Sequence, residues 1–104
     1  MSRIEIFEQM LANDPENTSV LFGLAKEYEK AGRNQELIKT LSRYIEVADD
    51  EGNAYGMLAR AYELAGDRGK AKETYLKGAN VAGAHGHPSM AEEYRSILSS
   101  EYED

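Results

Sequence analysis

The sequence predicts an all-α protein of about six helices, and three observations carry this prediction. A ten-residue stretch occurs twice: GLAKEYEKAG, residues 23–32, returns as MLARAYELAG, residues 57–66, after a period of 34 residues. Apolar residues recur at helical spacing along the chain, without the alternation typical of a half-buried strand. Finally, 104 residues with 41% hydrophobic and 30% charged side chains suit one globular domain with a modest core.

A first helix is predicted from Ser2 to about Asn13. Ser2 and Glu5 stand at capping-box spacing, at which each side chain can accept a hydrogen bond from a free N–H group at the helix start. Pro15 ends the helix, because its ring disfavours a helical conformation at the preceding residue. The apolar face of this helix consists of Ile4, Phe7, Met10 and Leu11.

The next two helices are predicted to form an antiparallel hairpin. One runs from about Thr18 to Ala31, with a stripe of Leu21, Leu24, Ala25 and Tyr28. Gly32 follows as a natural left-handed end. The second stripe consists of Leu37, Ile38, Leu41, Tyr44, Ile45 and Ala48. Since only Arg33 and Asn34 separate the patterns, the helices must run antiparallel.

The same pattern repeats in the second half of the chain. A helix from about Gly52 to Ala65 ends at Gly66, and Asp67 is placed to cap its successor. The fourth stripe, Ala71, Tyr75, Ala79 and Ala82, runs to a predicted glycine-rich break at residues 83–86. Pro88 favours a new helix start. This last helix carries Met90, Ala91, Tyr94, Ile97 and Leu98 and ends near Ser100.

The duplicated stretch resembles the tetratricopeptide repeat, whose pattern combines a large residue, a small residue and a tyrosine at a period of 34 residues. Leu21 and Tyr55 stand at the large position, and Ala25 and Ala59 at the small one. The resemblance covers residues 18–51 and 52–85. It implies helix hairpins stacked as a short right-handed solenoid in a single domain, residues 1–104. Residues 1–17 would form a half-repeat helix, and residues 86–104 a capping helix and an acidic tail.

Composition and charge exclude several classes of function. The chain has no cysteine, which rules out thiolate metal sites and thiol nucleophiles and is compatible with a reducing cytoplasm. A net charge of -7 opposes binding to nucleic acid. No apolar run can span a bilayer and no export signal is evident, so we expect a cytoplasmic protein without a membrane partner.

The sequence contains no pattern that indicates an enzyme or a cofactor. His85 and His87 form an H-x-H pair, but no carboxylate or cysteine stands at ligand spacing nearby. We therefore interpret the pair as part of a surface loop. Phosphate-binding loops and nucleophile motifs are absent from the 104 residues. We expect a protein that is not an enzyme and holds neither metal nor cofactor.

The resemblance implies a protein interaction module that binds a peptide or partner segment in the concave groove formed by the first helix of each repeat. The side chains facing that groove would be Phe22, Lys26 and Lys30 from the first copy and Asn53, Met57, Arg60 and Leu64 from the second. Lys26 and Arg60 could bind an acidic group of the ligand. They could equally pair with Glu29 and Glu63 on their own helices.

An alternative function follows from the number of repeats. A stable stack usually needs at least about three repeats, and this chain has two and two halves. The unpartnered first helix could leave apolar side chains exposed, among Ile4, Ile6, Phe7 and Met10. Such a patch commonly marks an interface, so the alternative is a structural subunit that forms homo-oligomers through its terminal helices.

Overall fold

A computed structural model of the protein describes residues 1–103. Its six α-helices are α1 (Arg3–Asn13), α2 (Thr18–Ala31), α3 (Asn34–Val47), α4 (Asn53–Leu64), α5 (Arg68–Ala84) and α6 (Pro88–Glu101). The described part of the chain contains no strand. The predicted fold class is therefore confirmed. Asp104, which belongs to the predicted acidic tail, lies outside the described residues.

The chain divides into two compact units at Asp49, between the two copies of the repeat. Unit 1 comprises α1 to α3, in which α2 contacts both of the other helices. Unit 2 comprises α4 to α6, in which α5 is the central helix. Each unit thus joins one complete hairpin to one additional helix, which precedes the hairpin in unit 1 and follows it in unit 2.

Local sequence explains the helix ends in unit 1. Ser2 and Glu5 form the predicted capping box at the start of α1. The side chain of Asn17 accepts a hydrogen bond from the backbone N–H of Val20 and caps α2. Gly32 ends that helix with φ at 70°, a left-handed conformation that glycine adopts without steric cost.

The buried residues of unit 1 come from α2 and α3. They are Val20, Leu21, Leu24, Ala25, Tyr28, Leu37 and Leu41. Helix α1 has no fully buried residue, although its Phe7 ring is so close to α2 that a Cβ at Gly23 would lie 3.4 Å from it. Across the same helix pair, the Tyr28 hydroxyl donates a hydrogen bond of 2.7 Å to Glu8. The attachment of α1 is therefore partly polar and leaves much of this helix in solvent.

Unit 2 is built around Tyr94 of α6, whose hydroxyl reaches the start of α4. It donates to the carbonyl of Gly52 at 2.7 Å and accepts the backbone N–H of Gly56 at 3.1 Å. A Cβ at Gly56 would lie 2.5 Å from the Tyr94 Oη atom. A Cβ at Gly78 would lie 2.7 Å from the Cβ of Tyr55. These two glycines therefore provide the space that the close packing of unit 2 requires.

The predicted break after the fourth stripe is wrong at its beginning. Helix α5 continues through Gly83 to Ala84, and the turn before α6 consists of residues 85–87. A glycine inside a helix costs only about 1 kcal/mol relative to alanine, and α5 buries Ala79 and Ala82 close to its end. Gly86 alone adopts a left-handed conformation there, with φ at 78°. Burial of the helix therefore overrides the local preference of Gly83 for a break.

Candidate interaction surfaces

In unit 1 the three predicted binding residues follow one edge of α2 at intervals of four. Phe22 is half-buried, and its ring centroid lies 5.2 Å from that of Tyr44 on α3. The Lys26 Nζ atom lies 5.8 Å from the Phe22 ring centroid. Lys30 is exposed, with its Nζ atom 3.6 Å from a carboxylate oxygen of Glu27. The edge therefore combines an aromatic face with two cations.

In unit 2 only three of the four predicted residues of α4 are exposed: Asn53, Arg60 and Leu64. The Leu64 side chain is 82% exposed. Met57 is 5% exposed, so the expectation that it faces a ligand is wrong for this structure. It lies three residues after Ala54 and four before Ala61, which are also buried. The helical period therefore places Met57 on the packed side of α4.

The alternative ion pairs considered for Lys26 and Arg60 do not form among residues 1–103. Glu29 is exposed, and Lys26 instead lies over Phe22. Glu63 of unit 2 accepts hydrogen bonds from two tyrosine hydroxyls, Tyr75 at 3.2 Å and Tyr102 at 2.6 Å. Both helices therefore keep a cation that no carboxylate of the same helix neutralises.

The two hydroxyls bound to Glu63 remain protonated well above neutral pH. Burial raises the pKa of Tyr75, and the neighbouring Glu63 carboxylate raises it further. Burial, followed by the hydrogen bond to Glu63, raises the pKa of Tyr102 to about 12. Because the neutral phenol is the donor in each bond, both hydrogen bonds to Glu63 are retained at neutral pH.

The histidine pair has a carboxylate near it in space, although none stands at ligand spacing in the sequence. Glu51 precedes α4, and its Oε1 atom lies 2.5 Å from Nε2 of His87 at the start of α6. The hydrogen bond to His87 lowers the pKa of Glu51. The described residues contain no group of three or more His, Cys, Asp or Glu that could hold a metal ion. The contact is therefore an exposed pair that links the segment before α4 to the residue before α6.

Two of these contacts could not be found by reading the sequence locally. Glu51 and His87 stand 36 residues apart, and Glu63 and Tyr102 stand 39 apart. No spacing rule for a single helix connects residues at such separations. In the sequence, both carboxylates look like ordinary solvated side chains. Only the packing of α6 in unit 2 brings their partners to them.

The comparison with known families agrees with the geometry. A model of the tetratricopeptide repeat matches residues 4–61, more than half of the 104 residues. The chain belongs to the tetratricopeptide repeat family. The match takes in α1, the whole first copy of the repeated stretch and the beginning of the second. The proposed family membership is therefore confirmed, with α1 inside the matched region.

Members of the tetratricopeptide repeat family generally mediate protein–protein interactions and form a non-catalytic class of repeats. The chain shows no significant match to curated individual proteins. None of the helices within residues 1–103 is long and apolar enough to cross a membrane.

Proposed function

We propose that this tetratricopeptide repeat protein is a non-catalytic interaction module that binds an acidic peptide or partner-protein segment. In unit 1 the contacts would come from Phe22, Lys26 and Lys30 of α2, and in unit 2 from Asn53, Arg60 and Leu64 of α4. The observation that carries the proposal is the position of Lys26, a cation that lies over the Phe22 ring and forms no ion pair among residues 1–103, in a chain of net charge -7.

The edge of α2 offers a ligand two kinds of contact. The half-buried Phe22 ring, which contacts the Tyr44 ring at a centroid distance of 5.2 Å, can pack against an apolar side chain of the ligand. Lys26 can bind a carboxylate of the ligand. Its contact with Phe22 is worth about 0.5–1 kcal/mol at an exposed site, and the approach of an anion to the far side of the ammonium need not break it. An acidic residue beside an apolar one therefore suits this edge.

Helix α4 offers the same combination with different residues. Leu64 provides an exposed apolar side chain, Arg60 a cation, and Asn53 an amide that can both donate and accept. A guanidinium binds a carboxylate through two parallel hydrogen bonds, which gives it more directional selectivity than an ammonium. We therefore expect Arg60 to select carboxylate orientation and Lys26 to contribute charge.

The proposal is tested by affinity capture from the native cell extract, followed by mass spectrometry. The bait with both Lys26→Glu and Arg60→Glu is expected to capture at least tenfold less of each direct partner than the wild type captures. The matched control carries Lys39→Glu and Arg95→Glu, which reverse two exposed cations on α3 and α6. If the first variant keeps every partner, the proposed surface is not the binding site.

The proposal gives the protein no nucleic-acid ligand, because the net charge of -7 repels a phosphate backbone. An electrophoretic mobility-shift assay at low salt should therefore show no retarded complex. The cysteine-free composition is compatible with a reducing compartment, and we place this interaction in the cytoplasm.

A second candidate function is self-assembly through α1. The observation that favours it is the exposure of Ile6 and Met10, which are 43% and 44% exposed on a helix without a buried residue. No large apolar side chain of α6 is comparably exposed within residues 1–103, so we restrict this alternative to α1. Light scattering over a dilution series should then show an oligomer that Ile6→Glu with Met10→Glu dissociates. A monomer at high concentration would eliminate the alternative.

A further inference from the structure

We propose that Glu63, Arg68 and Tyr75 form a tyrosine-binding site, which Tyr102 of the same chain fills. A tyrosine in an acidic segment of a partner polypeptide would enter the site in place of Tyr102. We call these three residues the tyrosine site and residues 101–103 the tail segment. The tyrosine site uses none of the side chains assigned to peptide binding above.

The tyrosine site contacts Tyr102 at three chemically distinct points. The phenolic hydroxyl donates to a carboxylate oxygen of Glu63 at 2.6 Å. The guanidinium carbon of Arg68 lies 4.4 Å from the ring centroid, and its Nη2 atom donates to the backbone carbonyl of Glu101 at 2.6 Å. The Tyr75 ring centroid lies 6.0 Å from that of Tyr102. Together these contacts recognise the tyrosine hydroxyl, the face of its ring and the backbone carbonyl of the residue before the tyrosine.

The recognition favours tyrosine over phenylalanine. A phenylalanine ring could still pack beside Tyr75 and Arg68, but it would offer no donor to the Glu63 oxygen that Tyr102 uses. A site built to hydrogen-bond a substrate hydroxyl discriminates strongly against the analogue that lacks it. Since the pKa of Tyr102 is raised to about 12, a bound phenol keeps its donor proton at neutral pH.

The hairpin of α4 and α5 positions Glu63 and the backbone of Arg68 through contacts that do not involve the tail segment. The other oxygen of Glu63 accepts the hydroxyl of Tyr75 at 3.2 Å, and Tyr75 is 2% exposed. Arg68 begins α5, whose first turn is capped by Asp67 through the backbone N–H of Lys70. The Glu63 carboxylate and the backbone of Arg68 are therefore preorganised, which reduces the entropy lost when a ligand binds.

The tail segment is attached in a way that permits its release. Tyr102 is the first residue after α6, and its backbone N–H donates to the carbonyl of Leu98. Helix ends open at low free-energy cost compared with helix interiors. Tyr102 belongs to the same buried cluster as Tyr94, but Ala91 and Tyr94 stand at least eight residues earlier, within α6. The tyrosine site can therefore open while unit 2 stays folded.

Charge indicates which tyrosine-bearing segment fits. Three exposed cations, Arg68, Lys70 and Lys72, stand within five successive positions at the start of α5. The occupant in the structure is itself acidic, because Glu101 and Glu103 flank Tyr102. A partner must compete with a tethered segment whose effective concentration is on the order of millimolar. Complementary acidic residues beside the tyrosine supply the additional affinity that such competition needs.

The test uses the full chain and a hexapeptide with the sequence of residues 99–104, SSEYED. Tyr102→Ala empties the tyrosine site, and ¹⁵N-edited NMR titration measures peptide binding. We expect Tyr102→Ala to bind the peptide at least tenfold more tightly than the wild type, with the largest shifts at the backbone amides of Glu63 and Arg68. The same peptide with phenylalanine in place of tyrosine should bind at least fivefold more weakly, and with alanine not measurably.

Further variants separate the tyrosine site from other surfaces. Adding Arg68→Ala to Tyr102→Ala should abolish binding of the peptide, whereas adding Lys39→Glu, which reverses an exposed cation of α3, should leave it unchanged. If circular dichroism shows Tyr102→Ala to be unfolded, Tyr102→Phe replaces it. That variant keeps the ring but not the bond to Glu63, and should bind the peptide several-fold more tightly than the wild type.

Three outcomes would overturn the proposal. One is equal affinity of the wild type and the emptied variant, because Tyr102 would then not occupy the binding site. Another is peptide binding that survives Arg68→Ala. The third is a wild-type dimer that Tyr102→Ala dissociates, because a second copy of the chain would then be the occupant.

Discussion

The two copies of the repeated stretch share a Tyr-Glu pair, and the two units use it in opposite ways. In unit 1 the tyrosine is the connecting residue: Tyr28 is buried and donates to Glu8 of α1, while Glu29 is exposed. In unit 2 the glutamate is the connecting residue: Glu63 accepts hydrogen bonds from the hydroxyls of Tyr75 and Tyr102, while Tyr62 is only half-buried. Identical residues thus acquire different roles from the helix beside them.

The difference follows from the side on which each hairpin has its additional helix. Helix α1 precedes the hairpin of unit 1 and meets the side of α2 that carries Tyr28. The residue after α6 meets Glu63 in unit 2. The packing differs as well, because α6 buries Ala91, Tyr94 and Leu98, whereas α1 buries no residue completely. The additional helix of unit 2 is therefore the more strongly integrated of the two.

The largest effect is expected for the aromatic anchors of these two helices. Tyr94→Ala should reduce the free energy of unfolding by about 3–5 kcal/mol, the usual cost of truncating a buried aromatic, because Tyr94 is 4% exposed. Phe7→Ala on α1 should cost roughly half as much, since Phe7 is only half-buried. Urea denaturation followed by circular dichroism measures both. Equal losses would contradict the difference between the helices.

A slightly smaller effect, and no difference between the units, is expected at a shared core position. Leu24 and Leu58 are equivalent in the repeat and are 4% and 7% exposed. Leu24→Ala and Leu58→Ala should each cost about 2–5 kcal/mol in the same urea denaturation experiment. A cost within about 0.5 kcal/mol, typical of surface positions, would show that the leucine of that copy is not buried.

At the glutamate that the two copies share, we expect the same substitution to change stability by different amounts in the two units. Glu63→Ala is expected to cost about 1–3 kcal/mol, because it leaves the buried Tyr75 hydroxyl without its acceptor. Glu29→Ala is the matched substitution and should stay within about 0.5 kcal/mol, since Glu29 is exposed. Thermal unfolding of the two variants compares them. Equal effects would mean that Glu63 has no special role in unit 2.

The smallest effect is a dependence of stability on alkaline pH. Burial and the hydrogen bond to Glu8 raise the pKa of Tyr28 from 10.0 to about 12. The folded state therefore retains a proton that the unfolded state loses first. Its contribution to stability is fully present below about pH 10 and is lost as the pH rises toward about 12.

Denaturation at several pH values between 9 and 12 tests this dependence. Tyr28→Phe should flatten the decline of stability over that interval, because it removes the phenol proton. Glu8→Gln should flatten it partly, because burial still acts on Tyr28. An unchanged decline in Tyr28→Phe would assign the effect to other groups, among which Tyr102 of unit 2 also has a raised pKa.

The sequence predicted most of the scaffold because helices follow local rules. Capping by Ser2 and Glu5 and the end of α2 at Gly32 depend on residues a few positions apart, and the structure confirms both. Leu58, expected between packed helices, is buried. Helical period alone did not place Met57, because a residue at the border of the apolar stripe faces solvent or core according to the neighbouring helix.

The sequence by itself therefore determined the six helices, most of their ends and the membership in a repeat family, since these depend on spacing within single helices and on a period of 34 residues. Only the tertiary structure decided what the repeated residues do. Glu63 and Glu29 are the same residue in the same local sequence, yet only one of them binds two tyrosines. The physical reason is distance along the chain: Tyr102 is 39 residues from Glu63, and only the packing of α6 brings them together.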